Sequence, residues 1–549
     1  MSVLAIEPLR QPVTAFLAQG QIPAPAVDGA AVAPLLVIFG GACVAVLVEA
    51  FLPRHQRWPV QVTLTALVLV VALVSLAAYA LGAPGPVITL GTTFAVDPPT
   101  LFLWGTLLLL AIPSMLLIAD RSVEPGGAFI SSAAERALAR SGGSGTGSGT
   151  GSGPEHVDRS YGRPGEAPTM QTEVFPFALF ALGGMMAFVA ANDLLTMFIA
   201  LEVLSRPLYV MCGLARRRRL LSQEAAVKYF LLGAFGSAFF LYGVALLYGY
   251  AGSVRLSAIA DATAGSVVSD TLLFAGLALL LIGLLFKGSV APFHTWTPDV
   301  YQGAPTPITA FMAVCTKVAA FGAIARVLYV AFGATRWEWR GVLWAVAIIS
   351  MAVGAVFGLT QTDIKRLIAY SSIAHAGFLL LGTMAITQEG TASTLFYLLA
   401  YGFTTVAVFG VISLVRNSDG EAGHLSQWAG LAKRSPLVAA VMTFLLLALT
   451  GIPLTSGFTA KFAVFSAALA DGMAPLVVIA LVASAVAAFF YLRVIVIMYF
   501  SEPAADGPTV VVPGAFTTMA ITLGVLVTLL LGILPTPALQ WASGGAFGG

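Results

Sequence analysis

Apolar residues run along this chain in blocks close to the length of about 20 that a helix needs to cross a bilayer core, with short polar joints between them. The blocks predict transmembrane helices over 31–52, 60–82, 100–118, 174–192, 194–213, 223–250, 271–291 and 308–331. The second part adds 343–360, 367–386, 393–415, 436–468 with an interruption, 475–500 and 515–534. The expected fold is an all-α polytopic membrane protein of about 14 transmembrane helices.

Two of these blocks are broken. Over 281–311, LIGLLFKGSVAPFHTWTPDVYQGAPTPITAF, an apolar helix runs into Lys287 and breaks around Pro292 into a segment holding His294, Trp296 and Asp299. The Trp–Thr–Pro–Asp stretch and the Gly/Pro-rich residues after it read as a turn, and the next helix soon carries Lys317. Over 450–462, TGIPLTSGFTAKF, Gly and Pro again interrupt an apolar run, and Lys461 stands beside the break. The broken spans are the seventh and twelfth, so an odd span matches an even one. That implies two inverted repeats, the device by which many transporters build a site at the bilayer midplane. The expected organisation is an N-terminal extracytoplasmic segment (1–30), helices 1–3 (31–118) and a cytoplasmic Gly/Ser-rich disordered loop (119–172). A first repeat of helices 4–8 (173–331), a second, inverted repeat of helices 9–13 (343–500) and a last helix (515–534) complete it.

Composition agrees. Of 549 residues, 58% are hydrophobic and 9% charged, against about 25% charged in an ordinary soluble domain. The net charge of +2 leaves no nucleic-acid footprint. Cys43, Cys212 and Cys315 lie far apart in apolar segments and read as packing residues. No two His, Cys or acidic residues show ligand spacing on one helix face, so no metal site is expected, and neither a Walker A nor a GxGxxG motif is present. The start lacks a basic stretch followed by an apolar core, so no cleaved signal peptide is expected.

Charge between the spans orients them. Arg54 and Arg57, the run Arg216 to Arg219, Lys365 and Arg366, and Arg416, Lys433 and Arg434 all fall in joints on one side. The opposite joints carry little beyond Arg255, Arg336 and Arg340. The positive-inside rule makes the first side cytoplasmic and both termini extracytoplasmic. The long polar insertion contains SGGSGTGSGTGSG at 141–153, a flexible-coil composition from which no chemistry is expected.

Ionisable residues inside the spans are costly and mark function. They are Glu202, Arg206, Lys228, Lys287, Lys317 and Lys461. Glu173, Asp193, Arg326 and Arg493 lie at or near span ends, and for the two arginines snorkelling to the headgroups is the expected arrangement. Desolvation favours a neutral lysine and a nearby carboxylate favours the charged one, so a buried lysine with a movable carboxylate can carry protons. Glu202 is the candidate carboxylate, with Arg206 one helical turn after it. Lys287, Lys317 and Lys461 would form a row in the membrane plane. His294, Asp299 and His375 could extend the relay; for the histidines a hydrogen-bonded packing role fits equally.

WTPDVYQGAPTPITAF at 296–311, preceded by the lysine helix, closely resembles the signature of the antiporter-like membrane subunits of respiratory complex I (NADH-quinone oxidoreductase), in the form of its N type. LEVLSRPLYV (201–210), SQEAAVKYFLLGAF (222–235), QTDIKRLIAYSSIAHAGFLLLG (361–382) and GIPLTSGFTAKFAVF (451–465) support it. The resemblance spans helices 4–13 and implies that Glu202, Lys228, Lys287, Lys317 and Lys461 line a midplane proton pathway. It further implies no cofactor on this chain, with FMN, iron–sulfur clusters and quinone on partner subunits. The implied partners are other antiporter-like and small neighbouring membrane subunits, and the implied location is a bacterial cytoplasmic (inner) membrane. Arg206 departs from the pattern by standing where an apolar residue is expected, and the Gly/Ser-rich insertion is outside it. The alternatives are a subunit of a multisubunit cation/proton antiporter, which shares this fold, or a structural membrane-arm subunit whose buried charges only dock neighbours.

Overall fold

The computed structural model describes residues 27–82, 85–123, 171–215, 219–265, 270–417, 420–503 and 507–548. Residues 141–153, the arginines at 216, 217 and 218 and most of the expected N-terminal segment lie outside them. Each expected span has a helical counterpart: α1 (Gly29–Phe51), α2 (Arg54–Leu81), α3 (Pro98–Ala119), α4 (Val174–Ala190), α5 (Leu194–Cys212) and α6 (Arg219–Ala251). A short α7 (Leu256–Gly265) follows, then α8 (Asp270–Lys287), α9 (Trp296–Gly303) and α10 (Thr306–Ala331). The chain continues through α11 (Arg336–Thr360), α12 (Ile364–Met384), α13 (Gln388–Leu414), α14 (Pro436–Thr450) and α15 (Ser456–Ala470). It ends in α16 (Ala474–Phe500), α17 (Ala515–Ile533) and a short α18 (Thr536–Ala542). Among the described residues, twelve helices are long and apolar enough to cross a membrane. The shorter α4 and the interrupted pair α14/α15 complete the expected set.

The strands are few and short. β1 (Val87–Thr89) pairs antiparallel with β2 (Phe94–Val96) between α2 and α3. β3 (Val415–Asn417) lies between β4 (Gly420–Glu421) and β5 (Thr509–Val510), in the order β4-β3-β5.

The inverted repeat appears in paired local structures. The Asp193 side chain accepts from the Thr196 N–H to cap α5, and Asp363 accepts from the Lys365 and Arg366 N–H groups to cap α12. Each cap satisfies backbone donors that a helix start leaves free. Leu194 N donates to Val254 O and Leu256 N to Asn192 O; likewise Ile364 N donates to Gly423 O and Leu425 N to Thr362 O. The helix contacts repeat as well: at Gly184 on α4 an added Cβ would meet the Leu204 backbone of α5, and at Gly354 on α11 it would meet that of Ala374 on α12. The two caps and the two glycine contacts are related by one constant offset in the sequence.

Burial separates an outer shell from a centre. α10 and α13 are buried on all sides and α12 nearly so, whereas α2 and α17 expose apolar faces, as helices against lipid do. The buried end of α3 is tied to α17: Asp120 accepts from Ser122 N (2.7 Å) and Thr517 N (2.9 Å). Burial pushes this carboxyl up, but the hydrogen bonds from Ser122 and Thr517 outweigh it and hold it below 3.8.

Three expectations about local structure are corrected. The Trp–Thr–Pro–Asp stretch is not a turn but the first turn of α9, with Asp299 near its start. Pro298 sits there without penalty because first-turn N–H groups have no intrahelical partner. Lys365 and Arg366 are not joint residues but belong to the first turn of α12, and Lys365 is buried. Arg326 does not snorkel. Its side chain is wholly buried and pairs with Asp97, the N-cap of α3, at 2.9 Å. It also donates to Thr100 Oγ1 (2.5 Å), Val189 O (2.7 Å) and Gly548 O (3.0 Å). Arg493 donates to Leu359 O at the end of α11, at 3.0 Å.

Candidate functional site

Three of the buried lysines, Lys287, Lys317 and Lys461, each stand where a helix is interrupted. Lys287 is the last residue of α8. Its Nζ donates to Ser205 Oγ of α5 (2.8 Å) and Tyr229 OH of α6 (3.1 Å). The Tyr229 ring lies 5.1 Å below the ammonium and stacks on Trp296, which donates from Nε1 to Phe286 O at 2.9 Å. The first helix past the break thus braces the tyrosine that holds the lysine.

Lys317 follows a π-helical segment, Met312–Thr316, within α10; such bulges recur at functional sites. Its Nζ donates to Ser372 O of α12 (2.9 Å) and to Gly288 O in the break after α8 (3.4 Å). Lys461 on α15 reaches back across its own break to Leu449 O (3.1 Å) and Thr450 O (2.7 Å), and donates to Ser484 Oγ of α16 (2.9 Å). An interrupted helix leaves carbonyl oxygens without partners at its C-terminal end, where the helix dipole is negative; the Lys461 ammonium satisfies two of these and the Lys317 ammonium one, Gly288 O, while Ser372 O lies within α12. Among the described residues, the oxygens holding these three lysines are all neutral hydroxyls or backbone carbonyls.

His375 lies between them on α12, buried. Its Nδ1 is 2.6 Å from Tyr397 OH and its Nε2 3.4 Å from Tyr491 OH, which also pairs with Ser371. One turn further, Phe378 lies under Lys461, 5.3 Å from its Nζ. The sequence offset that carries Asp193 onto Asp363 carries Ser205, the partner of Lys287, onto His375. It carries Glu202 onto Ser372, whose carbonyl holds Lys317. Beside Lys317, the hydroxyls of Ser372, Tyr401 and Thr405 are buried together as a polar cluster, the kind of site that ordered water joins.

The other expected residues lie elsewhere. Glu202 does not touch a lysine: its Oε2 accepts from Arg206 Nε at 3.1 Å. Lys228 is half-exposed and pairs with Glu224 and Asp299, each at 2.7 Å. Asp299 in turn accepts from Arg366 at 2.6 Å. His294 sits in the break, and its Nδ1 is buried without a protein partner. The structure therefore brings Lys287, Lys317, Lys461 and His375 to the interior, and gathers Lys228 and Asp299 in a separate, wetter cluster.

Sequence reasoning missed the tyrosines Tyr229, Tyr397 and Tyr491, although each is a polar-tipped ring in an otherwise apolar span. It also missed the buried role of Lys365, which donates to Ala304 O and Thr306 Oγ1, both at 3.0 Å, at the junction of α9 and α10. Among the described residues, no group of three His, Cys, Asp or Glu could hold a metal ion.

The family pattern described as NADH:quinone oxidoreductase/Mrp antiporter, TM matches residues 191–505. The NADH-quinone oxidoreductase subunit N of Saccharopolyspora erythraea is 71% identical over 96% of this chain and 99% of its own length. That of Rhodococcus opacus is 56% identical over 96% and 97%. A chain in the structure of respiratory complex I from Thermus thermophilus with bound aureothin is 32% identical, covers 93% of this chain and 100% of its own, and has a TM-score of 0.72. A chain of the Mrp complex from Dietzia shares the fold (TM-score 0.75, 21% identity, 94% of this chain and 96% of its own). The chain belongs to the antiporter-like membrane subunits of NADH-quinone oxidoreductase, within their subunit N group.

Proposed function

We propose that this membrane subunit moves protons through Lys287, Lys317 and Lys461, coupled to NADH oxidation and quinone reduction on other subunits. The observation that carries this is the set of oxygens around the three lysines. A buried ammonium held by a carboxylate is locked in its charged form, whereas one held by neutral oxygens can release its proton without stranding an opposite charge. Lys287 adjoins Gly288, whose carbonyl Lys317 holds; Lys317 also holds Ser372, one turn before His375; and His375 is one turn from the phenylalanine under Lys461. With the buried hydroxyls of Ser372, Tyr401 and Thr405 and water among them, these links support a continuous relay. His375 passes protons within the second half, and His294 joins the break to it.

Lys228 and Asp299, half-exposed, form the cytoplasmic approach, and Glu202 sets the field at Lys287 from one turn beyond Ser205. The redox chemistry, with its FMN, iron–sulfur clusters and quinone, resides on partner subunits. The chain sits in a bacterial inner membrane with both termini outside.

In membrane vesicles, Lys287→Ala is expected to leave NADH oxidation coupled to an assembled complex while lowering proton uptake about tenfold or more, the scale on which loss of a proton-transfer group acts. Undiminished uptake with an assembled complex refutes the pathway.

A further inference from the structure

Arg206 has no evident place in that pathway, and its position is physically costly for an isolated chain. It lies on α5 six residues before the helix ends at Cys212, about 9 Å inside that end. Its side chain is 76% exposed. Above and below it on the same face stand Ile199 and Val210, also exposed, so the arginine interrupts an apolar stripe.

Snorkelling does not relieve the charge. Helical side chains lean toward the helix N-terminus, and the guanidinium follows that lean to reach Glu202, one turn further from the nearer end. It is drawn into the span, not out toward headgroups. Of its five N–H donors, only that on Nε finds an acceptor in this chain among the described residues. Against lipid, the remaining donors would be unsatisfied, which hydrocarbon does not tolerate.

We propose that the α5 face around Arg206 is a protein interface, and that a carboxylate on a membrane-embedded helix of a neighbouring, different chain docks against the Arg206 guanidinium. A carboxylate completes the planar fork of donors and compensates the charge. A second copy of this chain fits less well, because the Glu202 it would offer already holds its own Arg206. The inference rests on the reading of this chain as one member of a multi-chain membrane complex, the setting of the solved relatives, which come from respiratory complex I and from an Mrp complex.

The test uses the intact complex in native membranes carrying Arg206→Lys, Arg206→Leu or Arg206→Glu, with insertion of this chain measured first. Arg206→Lys keeps the charge and is expected to retain neighbouring chains within about twofold, whereas Arg206→Glu sets like charges together and is expected to lower their recovery about tenfold. If Arg206→Glu does not accumulate, Arg206→Leu serves, with a several-fold loss expected. In Arg206→Lys membranes, dicyclohexylcarbodiimide activates the neighbour's carboxyl group. The lysine amine then displaces the activated oxygen, which leaves with the reagent as its urea. The expected product is an amide joining this chain to a different one, absent in the wild type and in Arg206→Leu. Normal recovery of neighbours with Arg206→Glu or Arg206→Leu overturns the proposal. So does an adduct confined to this chain or joining two copies of it. The Lys287→Ala complex keeps the two readings apart, because it is expected to retain its neighbours while losing proton uptake.

Discussion

Lys317 and Arg326 stand on the same helix, both buried, and the protein treats them oppositely. Arg326 is closed on every side: the Asp97 carboxylate, a hydroxyl and two backbone carbonyls take its donors, and Phe547 covers its plane at 5.0 Å. Lys317 receives two backbone carbonyls and the face of Tyr401. The first arrangement fixes a charge; the second only shelters one. A buried cation is therefore not by itself a sign of chemistry, and on the reading proposed above the identity of its oxygens is what distinguishes a proton carrier from a clasp.

The largest effect expected from this contrast is on stability. Arg326→Ala leaves the buried Asp97 carboxylate without its counter-ion, which costs about 3–5 kcal/mol. It should appear as a steep fall in the thermal unfolding temperature of the purified complex, or as loss of the chain from membranes. Replacing both partners, Arg326→Leu with Asp97→Leu, should recover part of that loss, since an apolar pair strands no charge although it forgoes the α3 cap. If Arg326→Ala is as stable as wild type, the pair is not the structural clasp described here.

Next in size is Tyr229→Phe. It removes one of the two hydrogen bonds to the Lys287 ammonium, worth about 1.5–3 kcal/mol for a charged donor, while the ring can still stack on Trp296. Proton uptake per NADH oxidised should fall several-fold in a complex that assembles normally. Unchanged uptake would show that the tyrosine only packs.

The smallest effect concerns Asp120. Its folded-state pKa is depressed, so its contribution is present above the unfolded value near 3.8 and is lost as pH falls through the lower, folded value. The tie between α3 and α17 should hold through neutral pH and weaken only below about pH 3.8. Asp120→Asn should cost about 1–2 kcal/mol at neutral pH and abolish that acid-side dependence. A difference from wild type that persists unchanged through acid pH would contradict the assignment.

Much of this was legible in the chain. Lys287 and Lys461 announced themselves because each stands beside a Gly/Pro interruption in an apolar run, and both interruptions are where the sequence placed them. The Asp97–Arg326 clasp was not legible. Its partners lie far apart in sequence and near span ends, where an arginine reads as snorkelling; only the packing of α3 against α10 brings them together. The helix α9 was hidden because Pro298 and Gly303 punctuate its eight residues like a turn. The partner of Glu202 was half-read: the one-turn spacing to Arg206 was visible, but not that the carboxylate would bond that arginine and touch no lysine. The π-helical segment before Lys317 has no signature in composition.

The central claim, that lysines held by neutral oxygens carry the protons, is tested most directly at Lys317. Proton uptake per NADH oxidised should be measured in vesicles containing the assembled Lys317→Ala complex, with neighbouring subunits present at wild-type amounts. The account predicts uptake reduced about tenfold or more with assembly intact. Wild-type uptake in that complex, or a variant that fails only because it no longer assembles, would place Lys317 beside Arg326 as a structural cation and contradict it.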